Sequence, residues 1–379
     1  MAETKPSYKR LDSLDVLRGF DLFMLIMVQG ICWLVADNVN IPWFQTFCAN
    51  NLEHVVWEGF CAWDMVMPLF MFMAGVSIPF AFASYLRGEV PAKQMYWRIT
   101  RRLLLLWLLG MLVQGNLLDL DWHSLRLFSN TLQAIAIGYF FTAIIVMNVR
   151  NVKWQVVITV ALLGIFWLCM ALFGDYTPRG NFADKVDMLL LGHWRDCMKW
   201  NEATGTWDFW EPYTYTWIFS SLNFTVTVML GYFAGLILKG GKLSQHKKWL
   251  TLVLGGVALI IAAKVVGIWH PIIKRLWTSS MTLLSGGICW IMMGVFYLIV
   301  DVWGWKGLNW LKPLGCNSIF VYVAGTMLVR RTDAVTTYLL HGFEQWVGPW
   351  YPALVRLGTV VLFYLLIKHL YNKKVFFKV

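Results

Sequence analysis

Apolar residues recur in runs at about 14–36, 60–86, 99–118, 127–147, 154–174, 215–238, 249–268, 279–301, 314–330 and 349–371. Each run approaches the roughly 20 residues that a helix needs to cross a hydrocarbon core of about 30 Å. The pattern predicts an all-α, polytopic membrane protein with about ten transmembrane helices. The stretch RTDAVTTYLLHGFEQWV at 331–347 is too short and too polar to span by itself, and reads as an extra re-entrant or surface helix. The longest polar interval, 175–214, exceeds the roughly 15 residues beyond which loops are usually functional or disordered. Its Trp and Phe residues, set among charges, suit covering a site or stacking on a sugar better than disorder. No internal repeat or low-complexity tract breaks the pattern.

Composition narrows the class. Apolar residues make up 59% of the 379 positions and charged residues 14%, which excludes a soluble multidomain protein. The net charge of +11 matters for its distribution. With the N-terminus inside, most of the 32 basic residues fall on the cytoplasmic side and most of the 21 acidic residues on the other. Both termini are therefore expected in the cytoplasm and His54 at the extracytoplasmic face. Because the basic residues are dispersed over many loop ends and form no stripe, they do not suggest nucleic-acid binding. The expected organisation is a cytoplasmic segment 1–13, a transmembrane domain 14–371 with an extracytoplasmic loop at 175–214, and a cytoplasmic tail 372–379. The polar, basic start lacks a small-residue cleavage site, so the first helix reads as retained. Seven cysteines form no C-x-x-C pair, and they read as small buried hydrophobes rather than a metal or redox site.

Candidate chemistry concentrates where NNLEHVVWEGFCAWDMVMPLF leads into the second apolar run, with His54, Glu58 and Asp64 at its mouth. On a helix starting near Trp57, Asp64 would lie about one and a half to two turns inside, where a carboxylate needs a partner. A bent approach would let His54 reach it, leaving one ring nitrogen protonated and the other free to accept a proton. The plainer alternative is an interfacial loop histidine, with Asp64 paired to an arginine on another helix. Asp15, Arg18 and Asp21 share a flank of the first helix, as an anchoring ion pair or as a site, and Asp21 lies deep enough to require an internal partner. Lys274 and Arg275, in HPIIKRLWTSS, lie in a loop expected outside, against the charge bias. Cations there suit outside carboxylates or an anionic ligand. Asn317 opens an apolar helix, where it serves as an N-cap or binds a substrate carbonyl. No G-x-x-x-x-G-K-[ST], G-x-S-x-G or H-E-x-x-H occurs, so nucleotide hydrolysis, serine hydrolysis and zinc proteolysis have no support.

These residues also carry a resemblance. LDSLDVLRGFDLFMLIMV, HVVWEGFCAWDMVMPLFMFMAGVSI, TLQAIAIGYF, PIIKRLWTSS, LGCNSIFVYV and KKVFFKV, in that order, resemble the heparan-α-glucosaminide N-acetyltransferase family of transmembrane acyltransferases, in its bacterial branch. The resemblance implies transfer of an acetyl group from cytosolic acetyl-CoA to the amino group of a glucosamine or glycan beyond the membrane, with no metal. It places the family's catalytic histidine on His54, with Asp64 orienting it. Asn50, Trp57, Glu58, Lys274 and Asn317 would then contact the sugar, and Arg18, Arg101 and Arg102 the acetyl-CoA phosphates. A homodimer in the bacterial inner membrane is implied as well. Three positions depart from the family pattern: Glu58 stands for Asn in W-N-G, Ala134 for the Arg that follows L-Q, and Trp43 for an asparagine ahead of the histidine. The competing class is an amino-sugar (N-acetylglucosamine) permease that uses His54 and Asp64 as a proton relay.

Overall fold

The computed structural model describes residues 11–210 and 215–377. The expected terminal segments 1–13 and 372–379 therefore lie partly outside the described residues. The chain opens with α1 (Asp12–Asn38), whose middle turn Met24–Val28 is π-helical, and the short α2 (Pro42–Asn51), which starts on a proline suited to a first helical position. Then come α3 (Ala62–Leu86), α4 (Ala92–Val113), α5 (Thr131–Asn148) and α6 (Val152–Phe173). The short α7 (Phe182–Leu191) precedes α8 (Ser221–Lys239), α9 (Gln245–Val266), α10 (Ser279–Val302), α11 (Ser318–Leu340) and α12 (Tyr351–Asn372).

Among the described residues, eight helical stretches are long and apolar enough to cross a membrane. They are α1, α3, α5, α6, α8, α9, α10 and the stretch Arg331–Asn372. α4 and α11 occupy the two remaining predicted runs; α4 carries Lys93, Arg98, Arg101 and Arg102, and only Ser318–Val329 of α11 is apolar. Residues 331–340 form no separate re-entrant element: they continue α11, and 341–350 form short turns before α12.

α3 and α8 are the most enclosed helices, while α6 and α9 turn most of their surface outward, as lipid-facing helices do. Close approach explains the enclosure. A Cβ on Gly75 would collide with the carbonyl of Val228, and one on Gly231 with the carbonyl of Phe72, so glycines at both positions let α3 and α8 pack backbone to backbone. α8 also packs on α5, α5 on α4, α9 on α10 and α11 on α12.

The 175–214 interval is an ordered lobe, not an irregular loop, throughout its described part. It contains α7 and an antiparallel hairpin, β1 (Met198–Asn201) with β2 (Thr206–Phe209), which the sequence pattern does not reveal. Its interior is polar. Arg195 is fully buried and pairs with Asp184, and Asp187 accepts from the Trp217 and Ile218 amides at 2.7 and 3.0 Å. Asp196 accepts from the Trp217 indole at 2.8 Å. The lobe is thereby fastened to the residues leading into α8.

Candidate functional site

Asp64 occupies a 3-10 turn, Ala62–Met65, at the head of α3. It thus stands in the first turn rather than one and a half to two turns inside, because residues 55–61 are not helical. They bend at Gly59, whose φ of 127° suits glycine. Glu58 forms an isolated antiparallel bridge with Ile273, and the Gly59 amide donates to the Ile272 carbonyl at 2.9 Å. That pairing brings Lys274 to His54 across 220 positions of sequence.

His54, Asp64 and Lys274 form a triangle. His54 Nδ1 lies 2.8 Å from Asp64 Oδ1, and Lys274 Nζ lies 3.2 Å from the same oxygen. Nζ is also 2.9 Å from His54 Nδ1 and 3.3 Å from Nε2. Asp64 Oδ2 accepts from the Cys61 amide at 3.1 Å, and the Cys61 thiol lies 3.2 Å from Oδ2 and 2.8 Å from the Glu53 carbonyl. The proton count allows two arrangements. With Nδ1–H donating to Asp64, Nε2 is the free base and the ammonium faces it; with the proton on Nε2, the ammonium donates to Nδ1. The carboxylate beside Nδ1 favours the first.

Partial burial lowers the His54 pKa from its ordinary value; the hydrogen bond to Asp64 opposes this, and the Lys274 and Arg275 cations add to the lowering. Burial likewise lowers the Lys274 pKa, against the attraction of Asp64. A second histidine secures the Lys274 loop. His270 Nε2 accepts from the Ser279 amide at 2.9 Å, so Nδ1 carries the proton and donates to the Tyr176 hydroxyl at 2.7 Å. Burial pushes the His270 pKa down to about 4, which keeps it neutral. The Trp57 indole donates to the Tyr176 carbonyl at 2.7 Å, tying the His54 turn to the lobe.

His54 and Lys274 line a cavity of about 200 Å³ with Trp63, Met67, Phe70, Gln114, Ser129–Thr131, Tyr215, Trp217 and Tyr322. A second cavity of about 320 Å³ is lined by Arg18, Ala74, Ser77, Arg102, Leu132, Ser318 and Phe377. The two share Phe70. α3 lines the first from Trp63 to Phe70 and the second from Phe70 to Ser77, so together they follow the helix along its length.

Of the residues predicted from sequence, His54, Asp64 and Lys274 come together, and Arg18 and Arg102 line the other cavity. Arg18 donates to the Met73 carbonyl at 3.2 Å, and the Arg102 guanidinium lies 4.1 Å from the Tyr139 ring centre. Arg101 is exposed and lines neither cavity. Asn50 is exposed at the end of α2, Glu58 is exposed in the bridge, and Trp57 is committed to Tyr176. Asn317 corrects the N-cap reading of its role. Its side chain caps no helix and does not line the His54 cavity; it donates to the Val375 carbonyl at 3.0 Å and accepts from the Phe377 amide at 3.1 Å. Asp21 is buried, and one of its carboxylate oxygens has no partner among the described residues, although its depth led us to expect one. The pattern missed Gln114, Ser129, Tyr215 and Trp217, whose place in the cavity depends on contacts between distant segments, and Cys61, which holds Asp64 from three residues away.

No family model matches the chain. Two curated proteins do. Heparan-alpha-glucosaminide N-acetyltransferase of Mus musculus is 24% identical in an alignment of 378 residues that takes in 86% of this chain and 54% of the relative. The Homo sapiens protein of the same name is 25% identical over 368 residues, 83% of this chain and 52% of the relative. The chain is a distant homologue of these transmembrane N-acetyltransferases. It spans about half the length of the curated relatives it matches.

Proposed function

We propose that the chain transfers an acetyl group from acetyl-CoA on the cytoplasmic side to the amino group of a glucosamine-type sugar on the other side. The observation that carries this reading is the His54–Asp64–Lys274 triangle on the wall of one cavity, beside a second cavity that shares Phe70 with it and is lined by Arg18 and Arg102. Arginines suit the phosphates of the donor, and a path along α3 suits its extended arm. The distant homology over most of the chain adds weight.

In this mechanism the amine nitrogen attacks the thioester carbonyl carbon to give a tetrahedral centre, from which the carbon–sulfur bond then breaks. The proton lost by the amine goes to His54 Nε2 and then to the departing thiolate sulfur, while Asp64 holds Nδ1–H in place. The resting ammonium of Lys274 stands where the amine must approach, so it shifts toward Asp64 as the acceptor binds. We further place the chain in a bacterial inner membrane as a homodimer with both termini inside.

The test uses vesicles of purified protein with acetyl-CoA inside and glucosamine outside. Acetylated sugar should appear outside, and His54→Ala should reduce its rate by about two orders of magnitude or more with acetyl-CoA binding retained. Uptake of sugar without acetylation would replace this reading with the permease.

A further inference from the structure

The start of α5 and the two residues before it form a wall of the His54 cavity through Ser129, Asn130 and Thr131. Nearly every polar group here has a partner. The Asn130 carbonyl oxygen accepts from the Leu132 and Gln133 amides at 2.9 and 3.3 Å, and its amide donates to the Gly110 carbonyl at 2.7 Å. Gln133 accepts from the Ser129 amide at 2.9 Å and donates to the Leu127 carbonyl at 2.7 Å. The Ser129 hydroxyl is the exception: the residue is 3% exposed, and its oxygen has no hydrogen-bond partner among the described residues. A buried hydroxyl without a partner carries a desolvation penalty that the fold does not recover. The oxygen is sealed in this rotamer, and a turn about the Cα–Cβ bond can carry the Ser129 hydroxyl toward the cavity that the residue lines.

We propose that Ser129 donates a hydrogen bond to the oxyanion that forms on the acetyl carbonyl when the amine attacks. This deepens the acyltransferase reading and rests on it. Two ligand atoms are open to a hydroxyl in this cavity, a neutral sugar hydroxyl and the acyl oxygen. The helix decides between them. α5 is 18 residues long and presents its positive N-terminal end at Ser129, a field that favours an oxygen gaining negative charge over a neutral one. The amides of Leu132 and Gln133 are already taken by Asn130 and the Thr131 side chain is hydrogen-bonded with Tyr322, whereas the O–H of Ser129 has no partner among the described residues. α5 also carries Leu132 and Ile135 on the wall of the Arg18 cavity, so its N-terminal turn lies where an acyl group arriving past Phe70 would emerge. As the amine attacks, the carbonyl π pair moves onto oxygen; the tetrahedral centre then collapses, returning that pair and expelling the thiolate. Ser129 donates throughout and transfers no proton.

A contact that strengthens only as charge develops appears in kcat rather than in KM. Ser129→Ala leaves the backbone amide free to reach Gln133, so the turn should keep its shape. In the vesicle assay, kcat should fall by about 10²-fold, the scale of losing one oxyanion donor, with KM for glucosamine changed by less than about twofold. Ser129→Cys keeps the size but offers a weaker donor, and its rate should fall between the two. The Ala variant should melt no lower than wild type, because it removes an unsatisfied group. An Ala variant with unchanged kcat, or a loss confined to KM for the sugar, would overturn the assignment while leaving the acyltransferase reading standing. A wild-type protein that transfers no acetyl group would overturn both.

Discussion

Lys274→Met removes a buried cation whose Nζ stands 2.9 Å from His54 Nδ1 and 3.2 Å from Asp64 Oδ1. Methionine keeps an unbranched chain that can fill the same channel. Two unit charges about 4 Å apart interact by roughly 1 kcal/mol in water and about 4 kcal/mol at an effective dielectric of about 20. The His54 side chain is 41% exposed, so the repulsion between Lys274 and protonated His54 falls toward the lower figure. Taking about 1.4–2.8 kcal/mol gives roughly one to two pH units.

The sign follows from the groups around the ring. Asp64 faces it from the head of α3, beside the Cys61 thiol, while Lys274 and Arg275 come from the loop before α10. Lys274 opposes the imidazolium, so wild-type His54 stays neutral, and able to take a proton, to lower pH. Without Lys274, Asp64 loses a counter-ion and attracts the imidazolium more strongly, which raises the His54 pKa further in the same direction. The acid limb of kcat/KM, measured against external pH with the vesicle interior buffered, should move up by one to two pH units. Titration of the acceptor amine is common to both proteins and cancels in the mutant-to-wild-type ratio of kcat/KM at each pH, from which the shift is read. An unmoved limb, or one moved to lower pH, would refute the view that Lys274 holds His54 neutral.

Asp64→Asn should lower kcat by about 10²–10⁴-fold with little change in acetyl-CoA binding, since an amide can donate to Nδ1 and favour the wrong ring tautomer. Retained transfer in that variant would remove Asp64 from the mechanism. In the lobe, burial raises the Asp187 pKa from its ordinary 3.8 to about 7, against the Trp217 and Ile218 amides that favour its charge. Between about pH 4 and pH 7 the unfolded chain ionises at this position while the folded lobe holds the proton, so stability should fall as pH rises through that window. Thermal unfolding of Asp187→Asn should show a flatter dependence there, and an unchanged slope would mean that the carboxyl is ionised in the folded lobe.

The helices were legible because lipid leaves the chain little choice. Backbone groups in hydrocarbon must be satisfied within the segment, so each crossing is written as a contiguous apolar run. All ten predicted runs hold long helices. α4 and α11 fall short of an apolar span because Arg101, Arg102, Arg331 and Asp333 interrupt them. His54 and Asp64 were legible for a different reason: ten residues of chain suffice to fold one back on the other. Lys274 stood out only as a cation on the wrong side of a charge bias. What makes it a neighbour of His54 is a single backbone bridge between Glu58 and Ile273, and no periodicity encodes such a bridge. Asn317 failed in the opposite way. Its position before an apolar run fitted an N-cap, but its amide and carbonyl meet Val375 and Phe377, which lie near the other end of the sequence.

The same physics explains why the candidate site gathers at helix ends. Asp64 sits in the first turn of α3, Ser129 just ahead of α5, and His54 and Lys274 in turns between helices. A backbone that leaves the helix can aim a polar side chain sideways into a cavity, whereas residues along α3 between Phe70 and Ser77 present mainly apolar surface. Under the acyltransferase reading proposed above, the middle of the fold would guide a long substrate and the ends would act on it. α3, which lines both cavities, is held against α8 by close backbone contact at Gly75 and Gly231. A bulkier residue at Gly75 or Gly231 would push apart the helix that lines both.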